Sequence, residues 1–406
     1  MRNSAIDTLK MGKHLFKNKN DVFLWGILMK RKVKKADIVL IFIYLLMIIL
    51  NVASWLSTAF ADWYARNILP VWVNIFSRAS SIIPFSLGEM MIITAVVIVV
   101  SGIITYVLFM IFGKGKRKKI SCTALRIFLW IMAFIVTTET MNCFIMYHCT
   151  SLSDEYFSKA SEEYSSESLV NLYEVVVNNL NELSDEVERD ENGDFILTDD
   201  LYKTASDSMR KLSDVYPQLS GYYPKPKKIM FSGFISQQYL MGVFFPFSLE
   251  VNYNKVMSPI NYPDTICHEY AHLKGIMPED EAGFVSFLAC IGSESAQFRY
   301  SGYLSVIYYI ENDIYECVTE RSELERADAI RESLDTRIVN DNVFLTYDAW
   351  EKVEEKAVVS TDVINDVSDV FTDTSLKLNG VSDGKASYGR KVKLLLDYYE
   401  TEGSLK

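Results

Sequence analysis

The sequence predicts a mainly α-helical protein with three N-terminal transmembrane helices, followed by an extracytoplasmic α+β domain that is mostly helical with a small β-sheet. Three observations predict this arrangement. The first 147 residues contain three long apolar stretches, the rest of the chain has apolar residues at helical spacing, and two short β-like runs stand before residue 260.

The apolar stretches have the length of membrane-spanning helices, which need about 20 apolar residues to cross a bilayer. The second stretch carries no charge, and the third is interrupted by Arg126 and Glu139. We predict a membrane domain at 38–147, with an external interfacial segment at 58–89. Its transmembrane helices are expected at about 38–57, 90–112 and 120–147.

Basic residues predict the orientation of the spans, because Lys and Arg concentrate on the cytoplasmic side. One basic cluster lies at 30–35, before the first span, and another fills the short link at 114–119. Residues 1–37 are therefore predicted to be a cytoplasmic basic leader, and residues 150–406 an extracytoplasmic domain. The expected location is the cell membrane, with the lipid bilayer as one partner.

Charge divides along the same boundary. Residues 1–150 carry a net charge of +12, whereas residues 151–406 carry −23. An acidic domain of this kind is a poor candidate for nucleic-acid binding, so no nucleic-acid partner is expected.

The β-like runs are KIMFSGF at 228–234 and GVFFPFSLEVNYN at 242–254. Pro246 lacks an N–H donor and indicates an edge strand in the second run. Such an edge can bind a peptide substrate as an added strand, or it can be a plain structural strand.

The motif HEYAH places His268 and His272 one turn apart on the same face of a helix. Two imidazoles at this spacing can share a zinc ion, with Glu269 as the general base for a metal-activated water. Pro263 suits the first turn of this helix, and Gly275 is a natural end. The alternative interpretation is a partly buried helix with incidental histidines.

A zinc site of this type needs a third protein ligand. Pro278 stands six residues after His272, which excludes a three-histidine site of the usual spacing, and three acids follow at 279–281. On a helix, Glu279 and Glu281 point about 200° apart, so only one can face the metal.

EDEAG at 279–283 resembles the E-x-x-A-[D/N] element of gluzincin-type zinc peptidases. The resemblance implies a zincin-like domain in which Glu279 is the third zinc ligand, with Glu281 as the alternative. Gly283 departs from this pattern, since it stands where an Asp or Asn would brace the site.

More widely, the chain resembles an uncharacterised family of bacterial multi-pass membrane proteins with an HExxH motif. The resemblance implies a membrane-anchored domain similar to zinc peptidases, and it does not supply a substrate. The matching stretches are IIPFSLGE at 82–89, GVFFPFSLEVNYN at 242–254, HEYAHLKG at 268–275, EDEAGFVSFLAC at 279–290, FRYSGYL at 298–304 and SYGRKVKLLLDYY at 387–399.

The function expected from these features is a membrane-anchored zinc metallopeptidase that cleaves a peptide or protein substrate in the cell envelope. Tyr388 or Tyr300 can donate a hydrogen bond to a tetrahedral oxyanion, although simple packing is the commoner role of such a tyrosine. One alternative is a non-catalytic zinc-binding membrane protein that senses or binds an envelope partner. Another places the HExxH site on the cytoplasmic side, with a different number of spans.

Overall fold

The computed structural model describes residues 34–112, 117–157, 163–379, 390–403 and 405. Two compact units are present, Met1–Leu46 and Met47–Lys406, and all candidate site residues belong to the second. The predicted basic leader lies outside the described residues except for positions 34–37.

Helices dominate the described part of the chain. In order they are α1 Lys35–Leu56, α2 Thr58–Asn67, α3 Leu69–Trp72, α4 Arg78–Ser81, α5 Leu87–Phe112, α6 Arg117–Asn142, α7 Leu152–Tyr156, α8 Ser166–Glu186, α9 Leu201–Lys211, α10 Ser232–Ser236, α11 Tyr262–Leu273, α12 Glu279–Ile291, α13 Ala296–Cys317, α14 Arg321–Glu332, α15 Thr336–Asp341, α16 Tyr347–Lys356, α17 Thr361–Leu378 and α18 Arg390–Glu402.

Three of these helices, α1, α5 and α6, are long and apolar enough to cross a membrane, which indicates a membrane protein. The third apolar helix ends at Asn142, and Phe144–His148 forms a separate 3₁₀ turn. The helix is therefore shorter than the predicted span, which runs to residue 147.

The segment between α1 and α5 folds as the short helices α2, α3 and α4, joined around a π-helical turn at Val73–Ser77. It packs against the chain that follows the third apolar helix. The Asp62 carboxylate accepts hydrogen bonds from the N–H and the hydroxyl of Thr150, at 2.8 and 2.7 Å. Arg66 forms an exposed ion pair with Glu155.

The small sheet has three strands, β1 Lys227–Lys228, β2 Gly242–Phe245 and β3 Glu250–Tyr253, in the order β1-β3-β2. Strand β3 pairs parallel with β1 and antiparallel with β2. The run predicted as β-like at 228–234 is a strand only at Lys228, where β1 ends, and it enters helix α10 at Ser232, whereas the run at 242–254 is a hairpin. Pro246 directly follows β2 and lies in the turn, where its missing N–H removes no ladder bond.

The helical core encloses one face of the sheet. Helix α11 contacts β2 and β3 on one side and α12 and α13 on the other, and α18 packs on α12. Helix α8 buries its apolar stripe, largely against α13. The buried stripe of α8 includes Leu169, Leu172, Val176, Leu180 and Leu183. The HEYAH helix is therefore held between the sheet and the main helical layer.

Candidate metal centre

Helix α11, which carries His268 and His272, begins and ends as its sequence suggests. Pro263 occupies the first turn, where its missing N–H costs nothing. The helix ends at Leu273, and Gly275 adopts a left-handed φ of +89°. A Cβ at this glycine would also lie 2.8 Å from Leu69, so both conformation and space favour glycine.

The end of α11 also orients the second histidine. The Gly275 N–H bonds the His272 carbonyl and the Ile276 N–H bonds the Ala271 carbonyl, which together form a Schellman motif. The Ile276 carbonyl returns to His272 Nδ1 at 2.8 Å. Because a carbonyl only accepts, Nδ1 carries the hydrogen, and a neutral His272 ring keeps its lone pair on Nε2.

Glu279, at the start of α12, brings the cluster together. Its Oε2 lies 3.0 Å from His268 Nε2 and 3.6 Å from His272 Nε2. The donor atoms of His268, His272 and Glu279 all lie within 4.8 Å of one another. The two imidazole rings are nearly perpendicular, with centroids 4.7 Å apart. These three side chains can hold a metal ion.

The three consecutive acids of α12 have three different partners. Glu279 meets the histidines, Asp280 accepts a bond from Arg390 Nε at 2.8 Å, and Glu281 accepts one from the Leu152 N–H at 2.9 Å. All three stand in the first turn, where the helix dipole favours negative charge. The structure thus separates Glu279 and Glu281 as the helical geometry requires.

The close packing of the histidines and Glu279 shifts the pKa values of His272 and Glu279. Burial lowers the pKa of His272, but Glu279, Glu269 and the Ile276 carbonyl raise it more, to about 9. Burial raises the pKa of Glu279, but the two histidines outweigh it and hold that pKa well below its usual range. Without a bound ion, the cluster therefore favours a protonated imidazole beside a carboxylate.

Glu269 lies on the sheet side of α11 and is 5% exposed. Burial raises the pKa of its carboxyl, and this is partly opposed by His272, His268 and the nearby Phe244 N–H in β2. Gly242 leaves the room for this side chain, since a Cβ there would lie 2.6 Å from Glu269 Oε1.

The edge strand β2 turns backbone groups toward Glu269. The Asn254 N–H donates to the Met241 carbonyl, which fixes the alternation of the antiparallel ladder. The backbone N–H and C=O groups of Val243 and Phe245 therefore point toward β3. Those of Gly242 and Phe244 point away from β3, to the outer edge. The influence of the Phe244 N–H on the pKa of Glu269 agrees with this alternation. Pro246 predicts this edge from the sequence, but no sequence pattern predicts the contact of Gly242 with Glu269.

A cleft of about 930 Å³ contains the cluster. It is lined by β2, by both histidines and both glutamates, and by residues that the sequence analysis missed. The missed residues include Cys143, Tyr147, Tyr308, Tyr309 and Lys391. They lie far from HEYAH in the sequence and carry no motif, so only their position in the fold identifies them.

Lys391 lies against Gly283, the position where the gluzincin pattern has Asp or Asn. A Cβ at Gly283 would lie 3.2 Å from Cδ, Cε and Nζ of Lys391, so this lysine covers the position where Asp or Asn was expected. Lys391 is buried, with its ammonium 5.2 Å from the Tyr309 ring centroid. Burial lowers the pKa of Lys391, while Asp264 and Cys290 oppose this shift.

The structure describes only one of the two tyrosines predicted as donors to the oxyanion. Tyr388 lies outside the described residues. Tyr300 is fully buried, and its hydroxyl donates to Asp341 Oδ2 at 2.7 Å. Asp341 also binds Arg189, so Tyr300 belongs to a structural hydrogen-bond network.

Comparison with known sequences assigns the chain to a family. Residues 64–396 match the family described as "Protein of unknown function (DUF3810)". The chain belongs to this family. The match runs from α2 to α18 and includes α5, α6, the sheet, the histidine–glutamate cluster and Lys391. No curated protein and no solved structure matches the chain.

Proposed function

We propose that this DUF3810 member is a membrane-anchored zinc metallopeptidase that hydrolyses peptide bonds. One observation carries the proposal: a single carboxylate oxygen of Glu279 faces Nε2 of both His268 and His272, with Glu269 beside them in the same cleft. Two histidines and a glutamate form a ligand set of catalytic zinc sites.

The donor set fits zinc in type and in spacing. Ligands about 2.0–2.1 Å from a tetrahedral ion lie roughly 3.3 Å from one another. The two distances from His Nε2 to Glu279 Oε2, 3.0 and 3.6 Å, are close to this value. When bound, zinc would lower the pKa of a water and polarise the scissile carbonyl.

Glu269 is the proposed general base. It is buried between α11 and β2, and its raised pKa brings its proton affinity closer to neutral pH. It would take a proton from the attacking water and pass the proton to the leaving amine. The absence of a side chain at Gly242 leaves the carboxylate the space it needs for both transfers.

The outer edge of β2 is the proposed substrate-binding strand. Gly242 and Phe244 direct backbone groups away from β3, and both residues line the cleft. An extended peptide can pair with this edge, so that main-chain hydrogen bonds place the scissile bond beside Glu269. This arrangement favours extended polypeptide substrates.

The proposed location is the cell membrane, with the N-terminus in the cytoplasm and the cluster outside it. The basic residues at 30–35 and 114–119 support this orientation. The substrate would then be a peptide or protein of the cell envelope.

The Glu269→Gln variant tests the mechanism. We expect peptide hydrolysis to fall by at least about 100-fold, because the amide cannot accept the proton, while zinc content stays near one ion per chain. Hydrolysis of a mixed-sequence peptide library by the purified full chain, with metal analysis of the same sample, measures both. Undiminished cleavage by Glu269→Gln would contradict the role of Glu269.

A non-catalytic zinc protein that binds an envelope partner is the second candidate. Gly283 favours it, because the acid or amide of the gluzincin pattern is replaced by the space that Lys391 fills. This candidate predicts a zinc-loaded wild type that cleaves no member of the library.

A further inference from the structure

A group of large apolar side chains is exposed beside the sheet. Met230, Phe231 and Phe234 are 52–54% exposed, and Ile82 and Phe85, just before α5, are 83% and 49% exposed. We call these five residues the apolar collar. The two segments meet, since Lys227 donates to the Ser80 carbonyl and Glu89 accepts the Met230 and Phe231 N–H groups. Contiguous exposed apolar patches mark interaction surfaces.

The chain that follows Lys228 also lacks acidic residues, and the charges nearest Met230 are cationic, since Lys228 is exposed and Lys255 Nζ donates to the Met230 carbonyl at 3.2 Å. Residues 229–249 contain no Asp, Glu, Lys or Arg, although residues 151–406 carry a net charge of −23. A stretch without carboxylates in an acidic domain is suited to an apolar or interfacial environment. It also avoids repulsion between carboxylates and anionic lipid headgroups.

Hydrogen bonds hold the collar at the start of an apolar helix. Glu89 lies in the first turn of α5, and its carboxylate oxygens accept the N–H groups of Met230 and Phe231 at 2.8 and 2.7 Å. The uncharged stretch of α5 begins at Met90. At a rise of about 1.5 Å per residue, the collar backbone therefore lies at the level where this helix would enter the bilayer.

The sheet is fixed to the same level by two more contacts. Glu250 Oε2 accepts the Gly88 N–H at 2.7 Å, at the start of α5. Asn142, the last residue of α6, donates through Nδ2 to the Pro246 carbonyl at 2.7 Å. The β2–β3 hairpin thus rests on the ends of two apolar helices.

The metal cleft continues from this surface. Cys143 and Tyr147, which follow α6, line the cleft together with the segment 239–241 that links the collar to β2. Tyr239 and Met241 are 56% and 38% exposed. Exposed apolar side chains therefore occur both in the collar and in the segment that enters the cleft beside the edge strand.

We propose that the apolar collar lies in the headgroup region of the membrane and that the cleft opens at the bilayer surface. The substrate class is then a polypeptide tethered to the same membrane, cleaved in the extended segment next to its anchor. The substrate part of this proposal rests on the peptidase activity proposed above, whereas the position of the collar does not.

Photo-crosslinking tests the position of the collar. The full chain is placed in lipid nanodiscs with benzoylphenylalanine at Phe231 or Phe234. The control position is Tyr315, which is 45% exposed at the far end of α13. We expect lipid adducts at Phe231 and Phe234 and none at Tyr315. Adducts to a second copy of the chain, or equal lipid adducts at Tyr315, would overturn the proposal.

Cleavage of matched substrates tests the substrate class. One mixed-sequence peptide library is presented free in solution and fused to a transmembrane anchor in the same nanodiscs, with Glu269→Gln as the background. We expect the anchored library to be cleaved at least tenfold faster. The double variant Phe231→Ser/Phe234→Ser should reduce cleavage of the anchored library and leave that of the free library unchanged.

The outcomes separate the two proposals. Equal rates for the free and anchored libraries overturn the substrate class and leave the peptidase intact. Failure of the wild type to exceed Glu269→Gln on either library overturns the peptidase, and the crosslinking result then stands alone as the test of the collar.

Discussion

At the scale of single residues, the histidine–glutamate cluster depends on hydrogen bonds that orient its side chains from outside the cluster. His272 is oriented by the main-chain carbonyl of Ile276, which the Schellman turn at Gly275 brings back to the ring. A metal-binding histidine usually donates its second ring nitrogen in this way, which fixes tautomer and orientation. The turn after α11 is therefore part of the candidate site.

The first prediction at the residue scale concerns which glutamate, Glu279 or Glu281, is the third zinc ligand. Glu279→Gln should weaken zinc binding by on the order of 100-fold, because it removes a charged ligand. Glu281→Gln should leave zinc affinity nearly unchanged, since the amide oxygen can still accept the Leu152 N–H. Competition with a chromophoric chelator measures both affinities. Equal losses would show that Glu279 is not the distinguishing ligand.

A second prediction at the residue scale concerns Gly242. In Gly242→Ala, the new Cβ would lie 2.6 Å from Glu269 Oε1 and displace this carboxylate. A general base moved by about 1 Å can lose on the order of 100-fold in kcat, with zinc content unchanged. Gly233→Ala is the matched control, because a Cβ there meets its nearest atom only at 4.0 Å. Equal kcat for both variants would show that Gly242 does not position Glu269.

At the scale of elements, the hairpin is held to α5 by a buried charge cluster. Lys227 in β1 forms a buried ion pair with Glu250 in β3 and donates to the Ser80 carbonyl at 2.8 Å. Glu250 also accepts bonds from the Gly88 N–H and the Ser248 hydroxyl. A buried carboxylate with this many donors is stable only while all of them remain.

Replacing one partner tests this arrangement. Lys227→Met leaves Glu250 buried without its cation and should lower the free energy of unfolding by about 3–5 kcal/mol. Lys228→Met, at the adjacent exposed position, should change it by less than about 0.5 kcal/mol. Denaturant unfolding of the detergent-solubilised chain gives both values. Similar stability of the two variants would show that the ion pair does not hold the sheet.

At the scale of the whole molecule, the division of charge and the apolar helices bear on how the chain would be oriented across a membrane. Residues 1–150, the basic half, contain α1, α5 and α6, and residues 151–406, the acidic half, contain the sheet and most of the residues that line the metal cleft. The collar and the hairpin contacts lie where these two halves meet. Access to the cleft therefore depends on which side of the membrane the acidic half occupies.

Cysteine labelling checks the proposed orientation. Cys317 is exposed at the end of α13. In a chain whose other five cysteines are replaced by alanine, we expect a membrane-impermeant maleimide to label Cys317 in intact cells. A Cys at Ser4 in the leader of a cysteine-free chain should react only after permeabilisation. The reverse pattern would place the cluster in the cytoplasm.

The sequence alone determines the features set by local periodicity. It indicates the apolar helices, because their length and lack of charge are properties of continuous segments. It also places His268 and His272 on one face, predicts the stop at Gly275 and shows that Glu279 and Glu281 point apart. Each of these follows from the 3.6-residue turn and from the conformational freedom of glycine.

Only the tertiary structure decides which groups meet across elements. It brings Glu279 to the two histidines while Glu281 accepts the Leu152 N–H, and in the run at 228–234 it limits the strand to Lys228 and begins α10 at Ser232. It also places Gly242 against Glu269, Lys391 over Gly283 and Glu89 beneath Met230. These contacts join residues 27 to 141 positions apart, and their geometry arises from packing, which no local pattern encodes.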